Sequence, residues 1–289
     1  MIPLLIGLGV ITAWTVVFNP IEQKIAKFIE ARQGFVQPRP PYFAKVAVIV
    51  PCYKHAQFLR TTMQSIAAQT YRNIEAIFVN DCSPDDTQQV LEANAESVLK
   101  EIPFKILQLP ANMGQSEAIN IGIGYTDAEV ITILNDDDYL MHDAIEIAVS
   151  ALRNNPDIYM VGGGRLDLVN DIKYTSAYQL VDKEIVVGTF YPEDITWSQR
   201  YLKIPGFNHS SLTFFRVAWE ATGGYVQREN RMFTIPPWYP SDLDFMERVA
   251  ALFPVGILYY GKPSLTDLSG EVPLAWWRQG YSVDAGVWS

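Results

Sequence analysis

Val46-Ala-Val-Ile-Val50, stopped by Pro51, is the stretch that decides the fold. It is apolar throughout and mostly β-branched, with no alternation of polar and apolar residues. A strand wetted on one face would alternate, so this run predicts a strand buried on both faces of a parallel sheet. Working outward, Phe58, Leu59, Met63, Ile66 and Ala67 recur at helical spacing within Gln57–Thr70. Ile74–Val79 is a second strand, Asp85–Leu99 a helix capped by Ser83 or Asp85, and Phe104–Leu109 a third strand. Ser116–Tyr125 is a helix, Val130–Leu134 a fourth strand and Ala144–Arg153 a further helix. Strands alternating with helices imply an α/β fold with a mainly parallel central sheet flanked by helices. Ligands of such sheets bind beyond the carboxyl ends of the strands. Three of these strands end in polar clusters: Tyr53-Lys54-His55, Asn80-Asp81 and Asn135-Asp-Asp-Asp138.

The flanks and the composition narrow the class. The 289 residues carry 22 Lys+Arg against 32 Asp+Glu, a formal net charge of −10. That balance excludes a nucleic-acid binder, which needs a basic stripe. Cys52 and Cys82 alone make neither a disulfide framework nor a zinc site, so a reducing compartment is expected. Met1–Phe18 is uncharged and apolar, near the lower length limit for a membrane span, and Lys24, Lys27, Arg32, Arg39 and Lys45 follow it. An N-terminal hydrophobic helix that attaches the chain to a membrane, with its bulk cytoplasmic, is expected; a helix packed on the domain is the other reading. Ile21, Ile25, Phe28 and Ile29 form one face of an amphipathic helix lying along the membrane or the globular domain. Pro38, Pro40 and Pro41 end it. The expected organisation is a helical anchor over 1–36, a proline-rich linker over 37–44, a catalytic domain over 45–270 and an aromatic tail over 271–289. The tail's tryptophans either touch the membrane interface or pack on the domain.

Asn135-Asp-Asp-Asp138 follows a buried strand directly. Three adjacent carboxylates repel one another, and a hard divalent cation with oxygen ligands would relieve this. A solvated acidic turn ahead of the Ala144 helix is the alternative.

Four segments taken together carry a family resemblance. Val48-Ile-Val-Pro-Cys-Tyr-Lys54, Phe78-Val-Asn-Asp-Cys-Ser83, Asn112-Met-Gly-Gln-Ser116 with Asn120, and Ile133-Leu-Asn-Asp-Asp-Asp-Tyr-Leu140 resemble, in order and spacing, the motifs of the family 2 glycosyltransferases. The resemblance covers roughly Lys45 to Asp267. It implies the nucleotide-diphospho-sugar transferase fold called GT-A. It also implies an inverting transferase using a nucleotide-activated sugar, commonly UDP-linked, and a divalent metal, Mn²⁺ or Mg²⁺. By the same resemblance Pro51 and Tyr53 line the base pocket and Asp81 accepts a hydrogen bond from the base. Gly114 and Asn120 shape the floor under ribose and donor sugar, Asn135 and Asp136 face the donor, and Asp137 with Asp138 holds the metal. The chain departs from the family pattern at Asn80, Cys82 and Asn135, where the family usually has Asp, Gly and Asp.

In the second half, Gly162-Gly-Gly164 is expected to be a strand bend rather than a phosphate cradle, because an extended segment follows it. Thr175–Tyr201 is the expected acceptor-facing region. His209, Gly223 and Gly224 resemble the family's acceptor-side segment; a structural histidine is the alternative for His209. Ser241-Asp-Leu-Asp-Phe-Met-Glu-Arg248 is similar to the family's general-base segment, which puts the base at Asp242 and leaves Asp244 as runner-up. Lys262 replaces a residue that many members use near the diphosphate. The chain lacks the Gln-x-x-Arg-Trp motif and the later membrane run of processive synthases, which favours transfer of a single sugar. The acceptor is a hydroxyl of a glycan, a lipid-linked group or a protein. A catalytically degenerate nucleotide- or partner-binding module on the same fold is the competing reading.

Overall fold

The computed structural model describes residues 19–32, 44–169, 172–173, 185–190, 208–227, 241–260 and 273–279. β1 (Val46–Cys52) is buried along its whole length, as are β2 (Ile74–Asn80) and β4 (Val130–Ile133). With β3 (Phe104–Gln108) these strands run parallel in the order β3-β2-β1-β4. The sheet continues through β10 (Thr213–Phe215), β6 (Met160–Gly162), β11 (Val255–Tyr260) and β9 (Ile185–Phe190). β10 and β9 are the antiparallel members, so the sheet is mixed but mostly parallel.

Both faces of the sheet are covered. Val46, Val48, Val50 and Cys52 share one core with α2 (Leu59–Ala67), α3 (Thr87–Leu99) and α5 (Ala144–Asn154). Ala47 and Ile49 point the other way, toward α4 (Gln115–Gly124), α6 (Arg216–Thr222) and α7 (Ser241–Leu252). This is why the opening run is apolar at every position: a period-2 pleat between two helical layers leaves no wet side. Helix α4 lies very close to the sheet. A Cβ at Gly122 would sit 2.7 Å from Ile49 Cγ2, so only glycine fits there.

The chain leaves β1 through β2 and β3 on one side and returns as β4 on the other. The strand order therefore reverses between β1 and β4, and a crevice opens at their carboxyl ends. A second sheet, β5 (Tyr139–Leu140), β12 (Pro273–Gln279), β7 (Gly164–Val169) and β8 (Ile172–Lys173), stands beside it. Gly162 ends β6 and Gly164 opens β7, so the glycine run is the bend between sheets, as expected. Residues 273–279 are a strand of this second sheet, paired antiparallel to β5 and parallel to β7. The aromatic tail expected from residue 271 is to that extent part of the fold.

α1 (Asn19–Glu30) packs on the globular domain. Ile25 is buried with Ala251, and Phe28, Ile29 and Leu243 pack against them. Among the described residues no helix is long and apolar enough to cross a membrane. The hydrophobic helix expected over 1–18, the linker over 37–43 and the acceptor-facing 175–201 lie outside the described residues, apart from β9.

Candidate active site

The loops after β1 and β4 meet at the reversal point. The Tyr53 amide donates to Asp136 Oδ2 at 2.8 Å, and His55 Nδ1 lies 2.9 Å from Asp136 Oδ1. Pro51 is buried in β1 just beneath. Burial pushes the Asp136 carboxyl above its usual range, while His55 and the Tyr53 amide pull it back down. The turn after β4 is clasped from below and from the side. Thr62 Oγ1, on α2, lies 2.9 Å and 2.8 Å from the carbonyl oxygens of Asp136 and Asp138. Ser210 Oγ accepts the Asn135 amide and donates to Asp138 Oδ2. Asn135 Oδ1 accepts from Gln115 Nε2 at the start of α4.

This arrangement redistributes the expected metal ligands. Among the described residues, His55, Asp136 and Asp137 form a group whose ligand atoms all lie within 4.8 Å of one another. One imidazole and two carboxylates suit Mn²⁺, and Mg²⁺ less well for its nitrogen. Asp138 is not in that group: it is 1% exposed and turned to Ser210. Asp137 is half-buried, the most open of the three.

Asp81 is fully buried, and its two oxygens accept the amides of Met113 (2.6 Å) and Gly114 (2.9 Å). Burial raises its pKa and the two amides oppose that shift. Its first role is thus to fix the loop ahead of α4. Gly114 has φ +84°, which turns the chain into α4. Asn80 builds a local turn with its side chain, accepting the Ser83 amide and donating to Gln88 and Gln108. Cys82, where the family has glycine, has φ +55°. The backbone there keeps the conformation that glycine favours although the side chain has changed. The cap position of α3 is Asp86, one residue past the expected Asp85, and Asp85 Oδ1 accepts the amide and hydroxyl of Thr87 from just outside the helix.

Several expected residues brace one another. Asn120, expected under the ribose, gives its amide to the Tyr225 carbonyl (2.7 Å) and accepts Trp219 Nε1 and the Tyr225 amide (2.9 Å each). Gly223 (φ +82°) and Gly224 (φ +74°) end α6 in the left-handed region. A Cβ at Gly224 would lie 2.7 Å from Asn120 Oδ1. Asp244, the runner-up base, is fully buried and pairs with Arg248 Nε at 2.8 Å. Arg248 then donates to the carbonyls of Thr222 (2.8 Å) and Gly224 (2.7 Å). Asp244 is therefore bound, through Arg248, into a buried clamp on the end of α6. Lys262 lies outside the described residues.

Asp242 is different. It sits in the first turn of α7, half-buried, with Oδ1 accepting the Leu243 amide at 2.9 Å. Its charge acts on two buried groups, raising His209 against the downward pull of burial and adding to the burial that pushes Tyr225 well up. His209 Nε2 and the Tyr225 hydroxyl are 3.1 Å apart. His209 is the neighbour of Ser210, which clasps the acidic turn. Tyr225 stacks on Phe245 of α7 at 4.2 Å, so the segment 209–210 lies between α7 and the acidic turn with Asn135 and Asp138. His55 belonged to a polar cluster expected at the ligand edge, but the parts played by Thr62, Ser210 and Tyr225 had no residue-level expectation. Only Thr62 left a local signal, a polar side chain on a buried helical face.

A mixed, mostly parallel sheet whose strand order reverses between β1 and β4, with an acidic turn after the fourth strand, is the arrangement of the GT-A fold. The model of glycosyl transferase family 2 matches residues 47–222, more than half of the chain, and the chain belongs to that family. It is a glycosyltransferase. Two uncharacterized glycosyltransferases of Haemophilus influenzae are similar to it. One is 25% identical over 181 residues, covering 59% of this chain and 70% of the relative. The other is 28% identical over 185 residues, covering 63% and 64%. Among solved structures, Staphylococcus aureus TarS 1–349 in complex with UDP-GlcNAc superposes with a TM-score of 0.58 at 15% identity. That match covers 83% of this chain and 60% of TarS 1–349, and it shows the fold alone.

Proposed function

We propose that this chain is a metal-assisted, inverting transferase that moves one sugar from a nucleotide-diphospho-sugar to an acceptor hydroxyl. The donor is a UDP-sugar; the acceptor is a glycan, a lipid-linked group or a protein. One observation carries the reading: Ser210 holds the acidic turn while His209, through Tyr225 stacked on Phe245, reaches the helix that carries Asp242, so donor-side acids and that helix flank one segment. TarS, solved with UDP and with UDP-GlcNAc, supports a UDP-linked donor.

Pro51 and Tyr53 wall the base side, with Asp81 keeping Met113–Gly114 in place. Asn135, whose side-chain amide lies 3.5 Å from Asp138 Oδ2, lines the donor side. His55, Asp136 and Asp137 would hold Mn²⁺, which when bound supplies positive charge against the diphosphate leaving group. Asp242 takes the acceptor hydroxyl proton as the oxygen attacks the anomeric carbon, a contribution of about 10²- to 10⁴-fold. Attack from the Asp242 side with departure toward the acidic turn inverts the centre. Residues 1–18 attach the protein to a membrane with the catalytic domain on the cytoplasmic side, a reading supported by their uncharged sequence and basic flank.

A thermal-shift panel of UDP-sugars, with and without Mn²⁺, tests the donor and metal together. The expected result is a shift with one UDP-sugar that needs Mn²⁺ and disappears in Asp137→Ala. A shift of equal size without Mn²⁺, or one retained in Asp137→Ala, overturns the metal assignment.

A further inference from the structure

The first observation is the way α1 meets α7. Ile25 is 8% exposed, and with Phe28 and Ile29 it packs on Ala251 and Leu243. Leu243 is the residue after Asp242, and its amide is the one that Asp242 Oδ1 accepts. The second observation is Arg32, just beyond α1. Its Nε donates to the Ala221 carbonyl at the end of α6, and its guanidinium lies 4.0 Å from the Phe28 ring centroid. A Cβ on Gly223 would be 3.9 Å from Arg32 Nη2. The charge of Arg248 is also felt by Arg32, and Arg248 holds the Thr222 and Gly224 carbonyls. Two guanidiniums thus close the carboxyl end of one short helix, where carbonyls stand unpaired and the helix dipole favours cations. One comes from α1 and the other from α7.

A helix that only tethers the domain needs no such contacts. Its outer face, with Gln23, Lys24, Lys27 and Glu30 exposed, is already suited to water. We propose that α1 is a positioning element for Asp242. Ile25, Phe28 and Ile29 seat Leu243, and Arg32 locks the α6–Gly224 turn from which Tyr225 projects toward His209. The N-terminal helix thereby sets the orientation of the base, and attachment upstream of it couples to the acceptor side of the site and not to the donor side. The inference rests on Asp242 being the base.

Full-length Ile25→Asp, with Ile25→Leu and Asp242→Asn beside it, tests this. Two readouts are used: amide hydrogen exchange over residues 241–252, and UDP release from a panel of UDP-sugars with water as acceptor. In Ile25→Asp, exchange over 241–252 should rise more than tenfold, with peptides from β1 to β4 unchanged. UDP release should fall about tenfold, UDP affinity should stay within twofold, and Ile25→Leu should restore both readouts. Unchanged exchange over 241–252 overturns the proposal, as does faster exchange throughout the chain with UDP affinity lost. Loss of UDP release in Asp242→Asn with a full rate in Ile25→Asp overturns the coupling while keeping the base. A full rate in Asp242→Asn removes the base assignment and the proposal with it.

Discussion

Asp81, Asp136 and Asp138 on the donor side are at most 3% exposed, and each spends its oxygens on amides, a histidine or a serine within the protein. Across His209-Ser210, Asp242 stands half-buried at a helix start, and its near neighbours are a histidine and a tyrosine. Both regions are acidic in sequence, but the acids do different work. The buried carboxylates are held by hydrogen bonds, because an ionised group out of water needs such partners, and Asp136 is in addition one of the three residues grouped as a possible metal site. Asp137 and Asp242 are only half-buried. The same division runs inside α7, where Asp242 and Asp244 are two residues apart and only Asp244 is buried against an arginine.

The largest effect that would sharpen this contrast is on turnover. Asp242→Asn should lower transfer by about 10²- to 10⁴-fold with nucleotide affinity intact, measured by steady-state kinetics and UDP titration. Wild-type turnover in that variant would remove Asp242 from the chemistry. Next comes stability. Arg248→Met leaves Asp244 charged and buried without its partner, a loss of about 3–5 kcal/mol. A melting temperature lower by roughly 10 °C is expected, and an unchanged value would break the distinction between brace and base.

A smaller effect concerns pH. Burial holds the His209 pKa below its usual 6.5. The unfolded chain therefore binds the proton more readily between the lowered value and 6.5. Stability from the neutral imidazole is complete above 6.5 and is lost as pH falls through that window. His209→Asn should flatten this part of the curve, read as melting temperature against pH from about 5 to 7. The smallest effect is chemical. Cys52 is buried, and its thiol is pushed well up by burial, whereas Cys82 is half-exposed. A thiol reagent should label Cys82 first, and UDP should slow that labelling if the loop after β2 lines the base pocket. Equal labelling of both cysteines in the folded protein would contradict the burial of β1.

Much of the donor half was legible because its signals are local. Val46–Val50 and Val130–Leu134 are continuous apolar runs, and the helices between them keep a 3.6-residue period, so strand order in sequence implied the sheet. The helix ends shifted by up to three residues, as at Leu59–Ala67 and Thr87–Leu99, since caps depend on side-chain partners beyond the pattern. The acidic turn was visible, yet the sharing of work within it was not. His55 and Asp136 are 81 positions apart, and Ser210 and Asp138 are 72 apart. No window along the chain contains both members of either pair.

The sequence by itself determined the family, the parallel sheet with its buried strands and the short list of carboxylates. Each of these is written in composition, period and motif order. Only the tertiary structure decided which carboxylates are buried. It paired Asp244 with Arg248, turned Asp138 to Ser210, tied Asn120 to Tyr225 and Trp219, and seated α1 on the helix that carries Asp242. The physical reason is that an acid's role is set by its solvation and its partners. Both come from distant segments brought together by the sheet, not from the residues beside it in the chain.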